Sequence, residues 1–287
     1  MIETLLQPLT YDYMLRAIWV SALVGAVCAF LSCFLILKGW SLMGDALAHS
    51  VVPGVALAYM WGFPFAIGAF LAGGLAALGM ALVRARSPLR EDAVIGVVFT
   101  SFFALGLLIV SIYPTSVNVQ RIILGNILAI PPEDAVQVVI IGAAVMAVLL
   151  LSWKDLLAVF FDERHARSIG LSVTPLKVMF FALLSAATVA ALQTVGAVLV
   201  IAMVVTPGAT AYLLADRFGV MVTIAVILGA ATSAVGSYVS FFVDGATGAL
   251  IVVFQTAIFM LVFLFAPKHG YLAARRMRDA VSGERAP

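Results

Sequence analysis

The chain has 287 residues, of which 64% are hydrophobic and only 10% are charged, with 16 Lys and Arg against 14 Asp and Glu. A soluble domain carries about 25% charged residues, so this composition excludes a soluble enzyme and a disordered protein. The net charge of +2 leaves no clustered basic surface, which excludes a nucleic-acid partner as well.

Nine apolar stretches are each long enough to cross a bilayer as a helix of about 20 residues. They predict an all-α polytopic integral membrane protein, with one transmembrane domain over residues 1–287. A single long helix near Gln193 and Thr194 would merge two stretches and give eight spans. We also expect a charged loop over 154–177 and a short tail over 267–287. In chain order the stretches are 14–37, 42–61, 63–83, 93–113, 134–153, 175–193, 195–215, 219–242 and 247–266.

The distribution of positive charge predicts the orientation in the membrane. With nine spans and the N-terminus outside, 14 of the 16 Lys and Arg lie on the cytoplasmic side, and only Arg16 and Arg121 remain outside. An eight-span arrangement would place either the basic tail or the Arg84–Arg90 loop on the wrong side. The sequence therefore predicts an external N-terminus and a cytoplasmic C-terminus, and the first span is expected to be retained.

Among the 14 acidic residues, only Asp45 lies inside a predicted span rather than at its end or in a connection. His49 follows four residues later, so the carboxylate and the imidazole share one face of a helix. A carboxylate at membrane depth costs about 2.5–3.5 kcal/mol on insertion scales, so it should face a polar interior. These two ligand types suit Mn²⁺, Fe²⁺ or Zn²⁺, and a two-fold symmetric dimer would supply four ligands. The spacing alone equally fits a simple Asp45–His49 pair near the interface, or a helix cap at Asp45.

Pro53 and Gly54 follow one turn beyond His49 and predict a break in the second span. Such a break frees backbone carbonyls or permits a gate, although Pro is common in membrane helices. The other candidate ligands are expected to be surface or packing residues, and the spacing of the two cysteines excludes a CxxC motif. These are His165, His269, Met43, Met203, Cys28 and Cys33.

The segment from Asp162 to Gly170 within the charged loop predicts a short amphipathic helix that ends at Gly170. Such a helix serves either as a contact for a partner protein or as a segment lying on lipid headgroups, and the pattern fits both. No Gly-Lys dipeptide occurs in the sequence, which excludes a P-loop. The chain is therefore not expected to be an enzyme, and any ATP hydrolysis should occur in a separate chain.

Two segments carry a family resemblance. The run SLMGDALAHSVVPG over 41–54 resembles the signature of the metal-ion ABC importer permeases, and FDERHARSIGL over 161–171 resembles their coupling segment. The similarity continues through 193–196 and 206–211. Within the family, the chain is most similar to the permeases of bacterial manganese/iron importers.

This resemblance implies an ABC importer permease fold in the bacterial cytoplasmic (inner) membrane. The implied partners are a second permease subunit (the same chain or a paralogue), cytoplasmic ATP-binding subunits and an extracytoplasmic metal-binding protein. Asp45 and His49 match the metal-contacting pair of the family. The residues that match its ATPase-coupling segment are Asp162, Glu163, Arg164, His165, Ala166, Ser168 and Gly170.

The expected function is that of the membrane-spanning subunit of an ATP-driven importer for Mn²⁺ and/or Fe²⁺, or Zn²⁺, with no permanently bound cofactor. The segment 114–134 and the turn at Asp244 are candidates for contact with the binding protein. The alternative function is an ion-gradient-driven secondary metal transporter that works without an ATPase. Such a transporter usually needs more than one carboxylate within the membrane, and this sequence provides one.

Overall fold

The computed structural model describes residues 6–40, 42–113, 127–266 and 270, and within these ranges the chain is helical, with no strand. Residues 114–126 of the expected binding-protein segment 114–134, His269 and nearly all of the tail lie outside the described residues. The α-helices are α1 (Asp12–Lys38), α2 (Met43–Ser50), α3 (Val52–Trp61), α4 (Phe65–Arg86), α5 (Glu91–Ile112), α6 (Pro132–Phe161), α7 (Glu163–Ser168), α8 (Val173–Val195), α9 (Ala197–Leu214), α10 (Phe218–Val243) and α11 (Thr247–Phe265). Two 3₁₀ helices lie at Gln7–Thr10 and Ile127–Ala129.

Seven helices in the described ranges are long and apolar enough to span a membrane, namely α1, α4, α5, α6, α8, α10 and α11. This count differs from the predicted nine, because two of the predicted stretches form shorter helices. The second stretch is divided into α2, of 8 residues, and α3, of 10 residues. The seventh stretch is α9, and the part of it with described side chains, Leu199–Leu214, is shorter than the seven spanning helices.

The chain breaks between α8 and α9, so the single long helix of the eight-span alternative is absent. Gly196 separates the two helices with φ of 83° and ψ of 161°. Residues with a Cβ rarely adopt this backbone conformation, whereas glycine reaches it without a steric cost. The predicted division near Gln193 and Thr194 is therefore confirmed to within a few residues.

Helix α1 is the centre of the bundle and packs against α6, α8, α9 and α10. Its contact with α10 depends on small residues, because a Cβ placed on Gly229 would collide with the carbonyl oxygen of Gly25. Close backbone approach of this kind is typical of membrane helices, where packing rather than the hydrophobic effect drives association.

The outer surface of the bundle is apolar, as expected where lipid rather than water is the solvent. Leu151 of α6 is 86% exposed and Trp19 of α1 is 73% exposed. The interior holds the residues that the sequence predicted to be packing side chains. Met43, Met203 and both thiols are buried there, and neither cysteine forms a disulfide.

A serine of α1 contacts the turn of α9 that contains Pro207. The hydroxyl of Ser32 donates to the carbonyl of Val205 and accepts the backbone N–H of Gly208, each over 3.0 Å. Proline cannot donate to the helix ladder and disturbs the turn around it. Ser32 therefore ties α1 to α9 at this turn through two hydrogen bonds.

We expect Ser32→Ala to destabilise the protein by about 1–3 kcal/mol, because it removes both hydrogen bonds that the buried hydroxyl of Ser32 makes to α9. The measurement is the unfolding temperature in detergent. Ser101→Ala is the matched control, since the exposed hydroxyl of Ser101 bonds only to Val97 in its own helix. Equal unfolding temperatures for the two variants would contradict a stabilising contact between Ser32 and α9.

Candidate metal site

Asp45 and His49 lie on one face of α2, in its first and last turns. Their Oδ1 and Nε2 atoms are 3.3 Å apart, and the side chains are 28% and 23% exposed, respectively. The interpretation of Asp45 as a helix cap is not supported, because Leu42 is the N-cap residue and no side chain caps α2. The two side chains therefore contact each other as the spacing predicts, and both remain reachable from outside the subunit.

Neighbouring helices hold α2 on two sides. On one side, the rings of Phe99 and Phe103 from α5 lie 6.1 and 5.3 Å from the imidazole of His49, measured between ring centroids. On the other side, a Cβ placed on Gly44 would lie only 2.9 Å from Cγ1 of Val204 in α9. The absence of a side chain at Gly44 thus lets α2 pack closely against α9.

One subunit offers only a small set of ligands here. In the described part of the chain, no three or more His, Cys, Asp and Glu side chains are grouped so that they could hold a metal ion. A carboxylate oxygen and an imidazole nitrogen suit Mn²⁺, Fe²⁺ or Zn²⁺. A more complete ligand set would have to include water or residues from another chain.

The predicted break follows directly after the pair. Helix α2 ends at Ser50 and α3 begins at Val52, because Pro53 has no N–H to donate to the carbonyl of His49. A Cβ on Gly54 would collide with the carbonyl oxygen of Gly68 in α4. The break is thus held tightly against α4, and a gating role for Pro53 and Gly54 stays a prediction.

The predicted short helix after the fifth stretch is present as α7. Asp162 caps it by accepting hydrogen bonds from the backbone N–H groups of Arg164, at 2.8 Å, and His165, at 3.2 Å. The bonds from His165 and Arg164 hold the pKa of the Asp162 carboxyl below its ordinary value. At the other end, Gly170 has a φ of 87°, a conformation that favours glycine.

The residues that match the coupling segment divide into two groups. Ala166 is fully buried and Glu163 is turned towards Lys177, so both anchor α7 to the rest of the chain. The other members are exposed, and contact between them and an ATPase stays a prediction. They are Asp162, Arg164, His165, Ser168 and Gly170.

We expect Asp162→Ala to loosen α7 near neutral pH, and this effect to depend on pH. Because the pKa of Asp162 is depressed in the folded state, its stabilising effect is present at neutral pH and is lost as the pH falls through that lowered pKa. Amide hydrogen exchange in α7 measures the effect. Asp155→Ala, at an exposed position of α6, is the control. Equal exchange in α7 for both variants at neutral pH would contradict the capping role.

Comparison with known proteins identifies the class of protein to which this chain belongs. A sequence model of the ABC 3 transport family matches residues 10–266, so the chain belongs to this family of transporter membrane proteins. The predicted family resemblance is thereby confirmed. Membership also supports an ATP-driven importer over the ion-gradient-driven alternative.

The relatives are metal transport proteins. The chain is 68% identical over 275 residues to the chelated iron transport system membrane protein YfeC of Yersinia pestis, covering 96% of this chain and 94% of YfeC. It is 50% identical over 272 residues to the manganese transport system membrane protein MntB of Synechocystis sp., covering 94% and 88% of the two chains. Its fold matches PsaBC from Streptococcus pneumoniae, solved in complex with Fab, with a TM-score of 0.86, 35% identity and coverage of 96% and 100%.

Proposed function

We propose that this chain is the membrane-spanning permease subunit of an ATP-driven importer for divalent transition metal ions. The cargo is Mn²⁺ and/or Fe²⁺, with Zn²⁺ as the alternative. One observation carries the proposal: Asp45 and His49, which lie within the second predicted span, contact each other and stay about one-quarter exposed. Relatives described as manganese and iron transport membrane proteins support the same cargo.

The pair would bind the ion in transit. A dication entering a low-dielectric path loses hydration, and the carboxylate of Asp45 and the imidazole of His49 would replace part of its water shell. A second permease subunit, either another copy or a paralogue, would bring a second pair to the same passage. Two ligands per subunit leave room for water, so the ion is exchanged rather than trapped.

The remaining parts of the importer would be separate chains. A cytoplasmic ATPase would bind the exposed residues of α7, and an extracytoplasmic binding protein would deliver the ion to the opposite face. The positive charges of the sequence support an external N-terminus and a cytoplasmic C-terminus in the bacterial inner membrane.

The test is reconstitution of the permease in liposomes with its ATPase and binding protein. We expect Mn²⁺ uptake that requires ATP and stops when the ATPase is inactivated by mutation. Liposomes that contain the permease alone are the control and should remain inactive under a proton or sodium gradient. Uptake by the permease alone under such a gradient would contradict the proposal.

A further inference from the structure

One carboxylate joins α7 to two long helices. Glu163, the first residue of α7, accepts a hydrogen bond from Lys177 of α8, with 2.5 Å between Oε1 and Nζ. The ammonium of Lys38, the last residue of α1, lies 3.8 Å from the same oxygen and donates to the carbonyl of Phe160 in α6 over 3.4 Å. We call Lys38, Glu163 and Lys177 the Glu163 clamp.

The clamp is charged and only partly exposed to solvent. Burial tends to raise the pKa of Glu163, but the hydrogen bond from Lys177 and the charges of Lys177, Lys38 and Arg167 outweigh burial and hold the pKa below its ordinary value. The three side chains are between 24% and 30% exposed. Partial burial reduces the screening that weakens fully exposed ion pairs. The clamp therefore holds α7 against α1 and α8 more firmly than a fully exposed ion pair would.

Aromatic packing connects the clamp to the start of α2. The ring of Trp40 lies 5.5 Å from that of Phe160, edge-on, and 5.5 Å from that of Phe181, stacked. The carbonyl of Trp40 accepts the N–H of Met43, the first residue of α2, over 3.1 Å. Asp45 follows two residues later. A continuous set of contacts thus leads from the clamp to the candidate metal ligand.

A cavity of about 330 Å³ lies beside Trp40 and Met43, which together we call the Trp40–Met43 corner. Trp40, Met43 and Glu163 line it together with Met80 and Arg84 of α4. Close-packed interiors shift between discrete arrangements rather than deforming smoothly. The open volume gives the Trp40–Met43 corner room for such a shift.

We propose that Glu163 is a positioning residue for transport, which ties α7 to α1 and α8 so that displacement of α7 moves the Trp40–Met43 corner and with it Asp45. This inference rests on the proposed function, in which an ATPase displaces α7. Without the clamp, α7 moves with the ATPase but the metal ligands do not follow. Loss of the clamp should therefore uncouple ATP hydrolysis from metal movement.

The test measures ATP hydrolysis and Mn²⁺ uptake in the same liposomes, with the permease, ATPase and binding protein all present. For Glu163→Gln we expect hydrolysis to continue, while the amount of Mn²⁺ moved per ATP falls about ten-fold, within the usual range of coupling between sites. Asp92→Asn, which removes an exposed carboxylate at the start of α5, should leave this ratio unchanged. If Glu163→Gln only destabilised the permease, ATP hydrolysis and Mn²⁺ uptake would fall together.

A charge exchange provides the rescue. The variant Lys38→Gln/Glu163→Lys/Lys177→Glu reverses the short ion pair and removes the repulsion that Lys38 would then cause. We expect it to regain about half of the wild-type ratio, because the paired residues act as a unit. If Glu163→Gln fails to assemble, this variant decides the question alone.

Two results would overturn the inference while leaving the proposed function intact. One is an unchanged ratio of Mn²⁺ to ATP in Glu163→Gln, and the other is an assembled charge-exchange variant that hydrolyses ATP but stays uncoupled. Wild-type liposomes that show no ATP-dependent uptake would overturn the proposed function, and this inference with it.

Discussion

Asp45→Asn should reduce metal uptake to the level of cells that lack the permease. The substitution keeps the size of the side chain but removes the negative charge that offsets the lost hydration of a dication. Mutation of residues that only orient metal ligands lowers metal affinity or activity by about 10- to 100-fold. For a direct ligand we therefore expect uptake to fall by about 100-fold or more. The measurement is uptake of radioactive Mn²⁺ by cells at matched expression of the protein.

Asp92→Asn is the control for this prediction, since Asp92 is an exposed carboxylate at the start of α5. It should leave uptake near the wild-type value. His49→Ala should behave like Asp45→Asn, because it removes the nitrogen ligand of the same pair. Normal uptake by either Asp45→Asn or His49→Ala would reject the assignment of the site.

Gly68→Ala should lower both the stability of the protein and its uptake. A Cβ at this position would collide with the carbonyl oxygen of Gly54, so α3 and α4 must separate. Overpacking of this kind costs about 1–3 kcal/mol. Since α3 directly follows α2, the separation should also displace Asp45 and His49. The unfolding temperature in detergent and Mn²⁺ uptake measure the two effects.

The same helix offers a matched control at Gly74. A Cβ there would meet no atom within 4 Å, and alanine favours a helix over glycine by about 1 kcal/mol. Gly74→Ala should therefore be neutral or stabilising. If the two alanine variants unfold at the same temperature, the close contact of α3 and α4 is not what holds the break in place.

The sequence predicted the features that depend on local pattern. Long apolar stretches marked the spans, and the four-residue spacing of Asp45 and His49 predicted their contact. The break after His49 followed from Pro53, which cannot complete the helical hydrogen bonds. Gly170 marked the end of α7. In each case the cause lies within one or two turns of the residue concerned.

The features that the sequence did not predict depend on contacts between distant segments. Nothing near Ser32 indicates that its hydroxyl meets the backbone of Gly208. Likewise, the sequence assigned Glu163 only to the coupling segment, and the packing of α1 and α8 brings Lys38 and Lys177 to it. The number of spanning helices also differed, because the second predicted stretch forms two short helices, α2 and α3, rather than one long helix.

In the proposed function, Asp45 and His49 line a passage shared by two permease subunits. Cross-linking at His49 between the two subunits tests this arrangement directly. His49→Cys, with the matching position of the second permease also changed, is placed in a background without Cys28 and Cys33 and treated with a short bifunctional maleimide. Leu151→Cys, at a highly exposed position of α6, is the control. We expect a covalent permease dimer from His49→Cys and none from Leu151→Cys. Labelled His49→Cys that forms no dimer would contradict it.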